Sequence, residues 1–253
     1  MFYRVALEAN RPKYPPAPDG LVIHAVGDIH GRADLLDQAH GLIDNDKLTF
    51  GADQNLEIYL GDYIDRGPDS AVVISRLIER SSRTSTIFLR GNHEQLLLDF
   101  LDGKDCWREW SRVGCIPTCL SYGISPHLLF PQVSADKVRQ ALRKSVPPEH
   151  VRFYADTGSY CSIEPYLFVH AGIRPGINIE EQNPADLLNI RQTFLEFEGD
   201  FGHIVVHGHT PVEVPDLRKH RINIDTGAFA TNRLTCLRID CDGARILTPF
   251  RSR

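Results

Sequence analysis

A chain of 253 residues, 42% hydrophobic and 24% charged, is long enough for one α/β domain with its own core and has an ordinary globular composition. A net charge of −5 argues against nucleic-acid partners, and no apolar run approaches the roughly 20 residues that span a bilayer, so a cytoplasmic protein without membrane contacts is expected. Eleven histidines are many for this length, whereas the six cysteines form no Cys-x-x-Cys pair and read as reduced thiols.

Residues 1–20 form a leader with Pro12, Pro15, Pro16 and Pro18. Proline at this density excludes helix and central strand, so the leader is expected to lie extended on the surface or to be disordered. Residues 21–26 are almost continuously apolar, as in a buried strand, and run into Gly27-Asp28-Ile29-His30-Gly31. Residues 32–45 then place Leu35, Leu36, Ala39, Leu42 and Ile43 at helical spacing. A second strand at 56–60 runs into Gly61-Asp62-Tyr63-Ile64-Asp65-Arg66-Gly67, and a helix follows over 70–80. A third strand at 86–89 runs into Arg90-Gly91-Asn92-His93-Glu94, which opens a third helix.

This is strand–motif–helix three times. Asp62 follows Asp28 by 34 residues and precedes Asn92 by 30, intervals that each suit one βαβ unit. Right-handed crossovers make the three strands parallel and bring all three motifs to one sheet edge, where α/β folds bind ligands.

Residues 102–156 break this rhythm. Short helices are expected at 106–112, 116–121, 135–144 and 149–155, forming a helical insertion in which Trp107, Trp110 and Tyr122 supply the core. Antiparallel strands follow at 159–163 and 166–169, the second running into His170-Ala171-Gly172. One helix is expected over 185–197, although Arg191 then falls among apolar positions. Strands at 204–206 and 222–224 run into His207-Gly208-His209-Thr210-Pro211 and Asp225-Thr226-Gly227, and a hairpin around Asp242-Gly243 closes the chain. Residues 21–253 read as one α/β domain containing the insertion.

Taken singly, His170 and His209 read as core or surface histidines, Asn92 as a turn residue and Asp28 as a helix cap. Together, Asp28, His30, Asp62, Asn92, His93, His170 and His209 put a ligand-type residue beside a glycine at five strand ends. A mixed Asp/His/Asn set suits manganese, iron, zinc or nickel better than calcium, and seven members are enough for two ions sharing a carboxylate. His207 would face the same side as His209 on an extended backbone, and His209 is the preferred ligand.

The motifs Gly-Asp-Ile-His-Gly (27–31), Gly-Asp-Tyr-Ile-Asp-Arg-Gly (61–67), Arg-Gly-Asn-His-Glu (90–94), His-Ala-Gly (170–172) and Gly-His-Thr-Pro (208–211) resemble those of the phosphoprotein phosphatases. These belong to the calcineurin-like metallophosphoesterase superfamily, and the motifs at 170–172 and 208–211 resemble the form found in its bacterial and phage serine/threonine phosphatases. The resemblance implies an αββα sandwich of two mixed β-sheets and a dinuclear site. By matching position, Asp28, His30 and Asp62 would hold one metal, and Asp62, Asn92, His170 and His209 the other. His93 would be the general acid, oriented by Asp65, while Arg66 and Arg191 would bind the substrate phosphate.

Two divalent ions, manganese first among them, would lower the pKa of a bridging water to make the nucleophile, and the net positive site suits a phosphate monoester dianion. The expected substrate is a phosphorylated protein or a small phosphoester, with serine/threonine protein phosphatase as the lead and dinucleoside polyphosphate hydrolase as the alternative. A scaffold that had lost catalysis would lack some of the ligand set, and an acidic chain makes a poor nuclease.

Overall fold

The three repeated units fold as their spacing predicts. In the computed structural model, which describes residues 13–247, β1 (Leu21–Val26), β2 (Gln54–Tyr59) and β3 (Thr86–Phe88) lie parallel and adjacent. They are followed by α1 (Ala33–Phe50), α2 (Ser70–Ser81) and α3 (Asn92–Asp102). The closing hairpin, β9 (Cys236–Asp240) and β10 (Gly243–Leu247), adds antiparallel to β1, giving the order β10-β9-β1-β2-β3.

A second sheet holds β4 (Tyr160–Ile163), β5 (Tyr166–Val169), β6 (Ile204–His207), β7 (Asp216–Leu217) and β8 (Arg221–Asn223), in the order β4-β5-β6-β8-β7. The pair β4 and β5 is antiparallel as expected, whereas β5, β6 and β8 are parallel. Side chains alternate along a strand, so each sheet buries both faces. Ile23, Ala25, Ile58 and Leu237 of the first sheet meet Phe168, Val206 and Ile222 of the second. The opposite face of the first sheet packs Val26 and Tyr59 on Leu36, Ile43, Val73 and Leu77 of the helices. The outer face of the second sheet packs Leu167 and Val205 on Leu187 and Phe194. The result is an αββα sandwich of two mixed sheets.

The insertion folds as α4 (Trp107–Val113), α5 (Ile116–Ser121), α6 (Ala135–Ser145) and α7 (Pro148–Ala155). Trp110 and Tyr122 join the core beneath α2 and α3, with Trp107 packed against it.

Two expectations need correction. The described part of the leader is extended but pinned: the Tyr14 hydroxyl donates to Arg218 O at 2.9 Å, the Ala17 N–H donates to Asp240 O at 2.9 Å, and both side chains are buried between the sheets. The rest of the leader, residues 1–12, lies outside the described residues. The helix expected over 185–197 is two short ones, α8 (Pro184–Asn189) and α9 (Gln192–Leu195), and Arg191 sits in the break at φ −130°, ψ −100°. A cation among apolar positions marks the point where the helix stops.

Candidate metal centre

Parallel strands of both sheets present their C-terminal ends at one place. β1, β2 and β3 deliver Asp28 and His30, Asp62 to Arg66, and Asn92 with His93; β5 and β6 deliver His170 and His209. Bonds join the sheets there: the Nδ1–H of His170 donates to Leu60 O at 2.9 Å, and the backbone N–H of His209 donates to Asp28 Oδ2 at 3.0 Å.

The backbone at this edge is strained. Among the described residues, six other than glycine have positive φ, and five are His30 (+47°), Asp62 (+51°), Asp65 (+71°), Arg66 (+66°) and His209 (+64°). Left-handed backbone is unfavourable for residues with a Cβ and persists only where the surroundings enforce it. At Asp62 the enforcement comes from Glu94, whose buried carboxylate accepts the N–H groups of Asp62 and Tyr63 at 2.8 Å and of Gly91 at 2.9 Å. The turn at His209 also explains why it parts from His207. The His207 Nδ1–H donates to Gly208 O at 3.1 Å and its ring packs on Phe194 at 4.8 Å, away from the cluster.

Two sets of donor atoms, each within 4.8 Å of one another, share Asp62: His30, Asp62 and His93 on one side, Asp62, His170 and His209 on the other. Asn92 completes the second, with its Oδ1 at 3.1 Å from His170 Nε2 and 3.0 Å from His209 Nδ1, those nitrogens being 3.2 Å apart. Edges of this length are what ligands make around an ion held at about 2.1 Å. Nδ1 of both His30 and His170 donates to a carbonyl, Ile64 O at 2.8 Å in the first case, which leaves each Nε2 lone pair facing the cluster. His30 Nε2 and Asp28 Oδ1 are buried without a hydrogen-bond partner among the described residues, and His30 Nε2 lies 3.5 Å from Asp62 Oδ2. Asp28 stands beside the two sets, not inside either.

The neighbouring glycines leave this space open. A Cβ on Gly91 would come within 2.1 Å of Asp62 Oδ1, and one on Gly208 within 2.0 Å of Asp28 Oδ1. Unpaired buried donors, carbonyl-fixed imidazoles and a shared carboxylate all fit two divalent ions. The protein's own charges agree. Burial opposes ionisation of Asp62, but His170, His93 and His30 outweigh it and hold this carboxyl well below its usual range. Burial pushes His30 down to about 3 and His209 to about 2, so both present neutral imidazoles.

Beside the shared carboxylate, the Nδ1–H of His93 donates to Asp65 Oδ2 at 2.7 Å. His93 Nε2 lies 3.7 Å from Asp62 Oδ2 and accepts from Arg66 Nη2 at 3.2 Å. Burial disfavours a charged His93, yet Asp62 and Asp65 outweigh it and raise its pKa. The Arg66 guanidinium also lies over the ring of Phe229, 4.8 Å from its centre. Arg191 donates from Nη2 to His209 O at 3.5 Å and, with His209 and Asn92, lines a cavity of about 350 Å3. Leu96, Val113 and Leu188 form apolar walls of that cavity, and Gln95, Asp99, Glu109 and Asn189 are its polar ones.

The sequence reading assigns no part in the site to Glu94, Phe229 or Thr118, and Trp110 reads only as core of the insertion. Glu94 lay inside a quoted motif, so its position was a usable signal. The others come from α4, α5 and α10 (Ala228–Thr231), and no spacing connects them with the strand-end motifs.

A family model for calcineurin-like phosphoesterases matches residues 21–237. The asymmetrical bis(5'-nucleosyl)-tetraphosphatase PrpE of Anoxybacillus flavithermus is 23% identical over 239 residues, which are 86% of this chain and 90% of that protein. The enzyme of the same name from Geobacillus thermodenitrificans is 25% identical over 237 residues, 85% of this chain and 89% of that protein. Among solved structures, one described as a putative diadenosine tetraphosphatase superposes with a TM-score of 0.62 at 17% identity, over 96% of this chain and 99% of that one. Among the described residues, no helix is long and apolar enough to cross a membrane.

Proposed function

The chain belongs to the calcineurin-like phosphoesterases, metallophosphoesterase hydrolases with a dinuclear divalent-metal site, and we propose that its reaction is the asymmetric hydrolysis of a dinucleoside tetraphosphate. The observation that carries this reading is the cavity beside Asn92 and His209. It is lined by Asn92 and His209 of the donor sets and by the Arg191 cation, and its other walls are aliphatic Leu96, Val113 and Leu188, the Gln95 and Asn189 amides, and the Asp99 and Glu109 carboxylates. A phosphate chain ending in a nucleoside needs cationic, apolar and hydrogen-bonding surroundings, and this lining contains each of them. The tetraphosphatase relatives, aligned over most of both chains, support the same reading.

In this reading Asp28, His30 and Asp62 would hold one ion, and Asp62, Asn92, His170 and His209 the other; manganese would suit these mixed oxygen and nitrogen donors. The ions supply Lewis acidity that activates water and neutralises phosphoryl oxygens. Arg66 grips the group under attack, with Phe229 beneath its guanidinium. Arg191 takes the next phosphates along the chain. Water adds to phosphorus as the opposite phosphorus–oxygen bond breaks. Protonated His93 gives its Nε2 proton to the departing oxygen, and Asp65 holds the ring through Nδ1. The products are a nucleoside triphosphate and a monophosphate.

The second reading, a serine/threonine protein phosphatase, would use the same centre. It is favoured by the exposed Glu109 carboxylate on the cavity edge, which suits a basic peptide better than a polyanion. Turnover of diadenosine tetraphosphate against phosphoserine and phosphothreonine peptides, after loading with manganese, iron, zinc or nickel, decides. We expect kcat/KM at least about 100-fold higher for the dinucleotide, with ATP and AMP formed in equal amounts. A reversed ranking moves the assignment to phosphoproteins.

A further inference from the structure

We propose that Trp110 and Thr118 of the helical insertion are positioning residues for the proton donor, clamping Asp65 so that its carboxylate meets His93 in one orientation. Asp65 is fully buried and accepts from three side chains. Oδ2 takes the Nδ1–H of His93 at 2.7 Å and the indole N–H of Trp110 at 2.7 Å. Oδ1 takes the Thr118 hydroxyl at 2.6 Å.

The protons around Thr118 can be assigned. Its single hydroxyl hydrogen goes to Asp65, so in its 2.8 Å contact with Ser70 the Ser70 hydroxyl donates. The Thr118 oxygen also accepts the Asp65 backbone N–H at 2.8 Å. Thr118 thus holds Asp65 at both its backbone, where φ is +71°, and its carboxylate.

With both oxygens engaged by donors from the insertion, the carboxylate cannot rotate away from His93 without leaving a buried indole N–H or hydroxyl unpaired. Trp110 is itself immobilised, fully buried against Phe100 at 5.4 Å and Trp107 at 6.1 Å between ring centres. The same segment holds the neighbouring arginine: the Arg66 backbone N–H donates to Gly114 O at 3.0 Å, and its Nε–H to Val113 O at 3.4 Å. The insertion is therefore built into the reaction centre from behind, whatever its outer face does to substrates.

This proposal rests on the reading of His93 as proton donor, and the test separates the two. Manganese-loaded full-length Trp110→Phe, Thr118→Val, Thr118→Ser and His93→Asn proteins are assayed on phenyl phosphate, whose leaving group needs a proton, and on 2,4-dinitrophenyl phosphate, whose leaving group does not. Losing one hydrogen bond to a buried carboxylate should cut kcat on phenyl phosphate about 10-fold in Trp110→Phe and Thr118→Val, with about two-fold or less on the dinitrophenyl ester and KM unmoved. Thr118→Ser, which keeps the hydroxyl, should recover most of the loss. Equal losses on both esters, a change in KM alone, or a Thr118→Ser protein no better than Thr118→Val would each overturn the clamp. A leaving-group split in His93→Asn without one in the clamp variants overturns the clamp alone. No split in His93→Asn overturns the proton-donor reading and the clamp with it. If Trp110→Phe does not fold, the Thr118 pair decides.

Discussion

Arg66 and His93 make a hydrogen bond, Nη2 to Nε2 at 3.2 Å, that the proposed chemistry has to break. A guanidinium only donates, so Nε2 holds a lone pair in this arrangement and cannot carry the proton meant for a leaving group. An incoming phosphate resolves this by drawing Arg66 onto its own oxygens. Arg66→Ala should therefore raise KM for aryl phosphates, and the inhibition constant of inorganic phosphate, by about 10- to 100-fold through loss of a charge-assisted bond. Unchanged phosphate inhibition in that variant would remove Arg66 from substrate binding.

Asp62 is common to both donor sets, so it should matter to both ions. Asp62→Asn is expected to lower bound metal below one equivalent per chain, measured by elemental analysis after desalting, together with turnover. Two full equivalents retained would sink the shared-ligand assignment.

At Gly208 the test is purely steric. A methyl there would lie within 2.0 Å of Asp28 Oδ1, and no left-handed φ complicates the substitution. Gly208→Ala should displace the carboxylate and lower activity about 10-fold or more, while the thermal midpoint moves little, because the clash falls on a strand-end carboxylate and not on the core. Wild-type activity at limiting manganese would show that Asp28 is not held where the metal needs it.

Arg191 offers a substrate-dependent prediction. Among the described residues its guanidinium donates only to Thr210 Oγ1 and His209 O, at 3.4 and 3.5 Å, and it carries no carboxylate partner where it lines the cavity. Arg191→Ala should raise KM for diadenosine tetraphosphate by about 10-fold and leave p-nitrophenyl phosphate within about two-fold. Equal effects on both substrates would mean that Arg191 contacts the reacting phosphoryl group itself.

Glu57 provides an acid-sensitive element away from the reaction centre. Burial opposes its ionisation, but hydrogen bonds from Arg80, Lys47 and Tyr59 outweigh it and bring its pKa from 4.5 to about 2. A carboxyl with a lowered folded pKa stabilises the protein above its unfolded value, and that contribution fades as pH falls through the folded one. The window here runs from pH 4.5 down to about 2 and is worth about 3 kcal/mol at most. Glu57→Gln should lower the midpoint at pH 7 and flatten its fall on acidification. A wild-type midpoint that is level across that window would contradict this.

Half of the architecture was readable because βαβ units have a length. The even spacing of Asp28, Asp62 and Asn92 was enough to make three strands parallel and to bring their ends together. His170 and His209 were recognisable as strand-end histidines beside glycines, whereas His207 separates from His209 only through a left-handed turn that no residue type announces. Arg191 looked like an error in an amphipathic pattern until the helix proved to be broken there. Trp110 read as core and is core; its single polar atom also reaches Asp65, a contact set by how α4 lies across the motif loops. Contacts of that kind depend on tertiary packing, and periodicity carries no record of them.

The five left-handed residues of the centre have a consequence for how this protein can change. At about 1 kcal/mol or more each, they withhold about 5 kcal/mol from a fold whose whole margin is of the order of 5–15 kcal/mol. Glycine at Arg66, the one of the five that is only half-buried, would relax the backbone and remove the cation proposed to bind phosphate, whereas glycine at Asp65 would leave the buried Trp110 indole N–H and Thr118 hydroxyl unpaired. Any screen that rewards heat resistance alone will therefore collect inactive proteins first, and robust variants have to be sought in the outer helices and sheet edges, where stability and turnover do not compete.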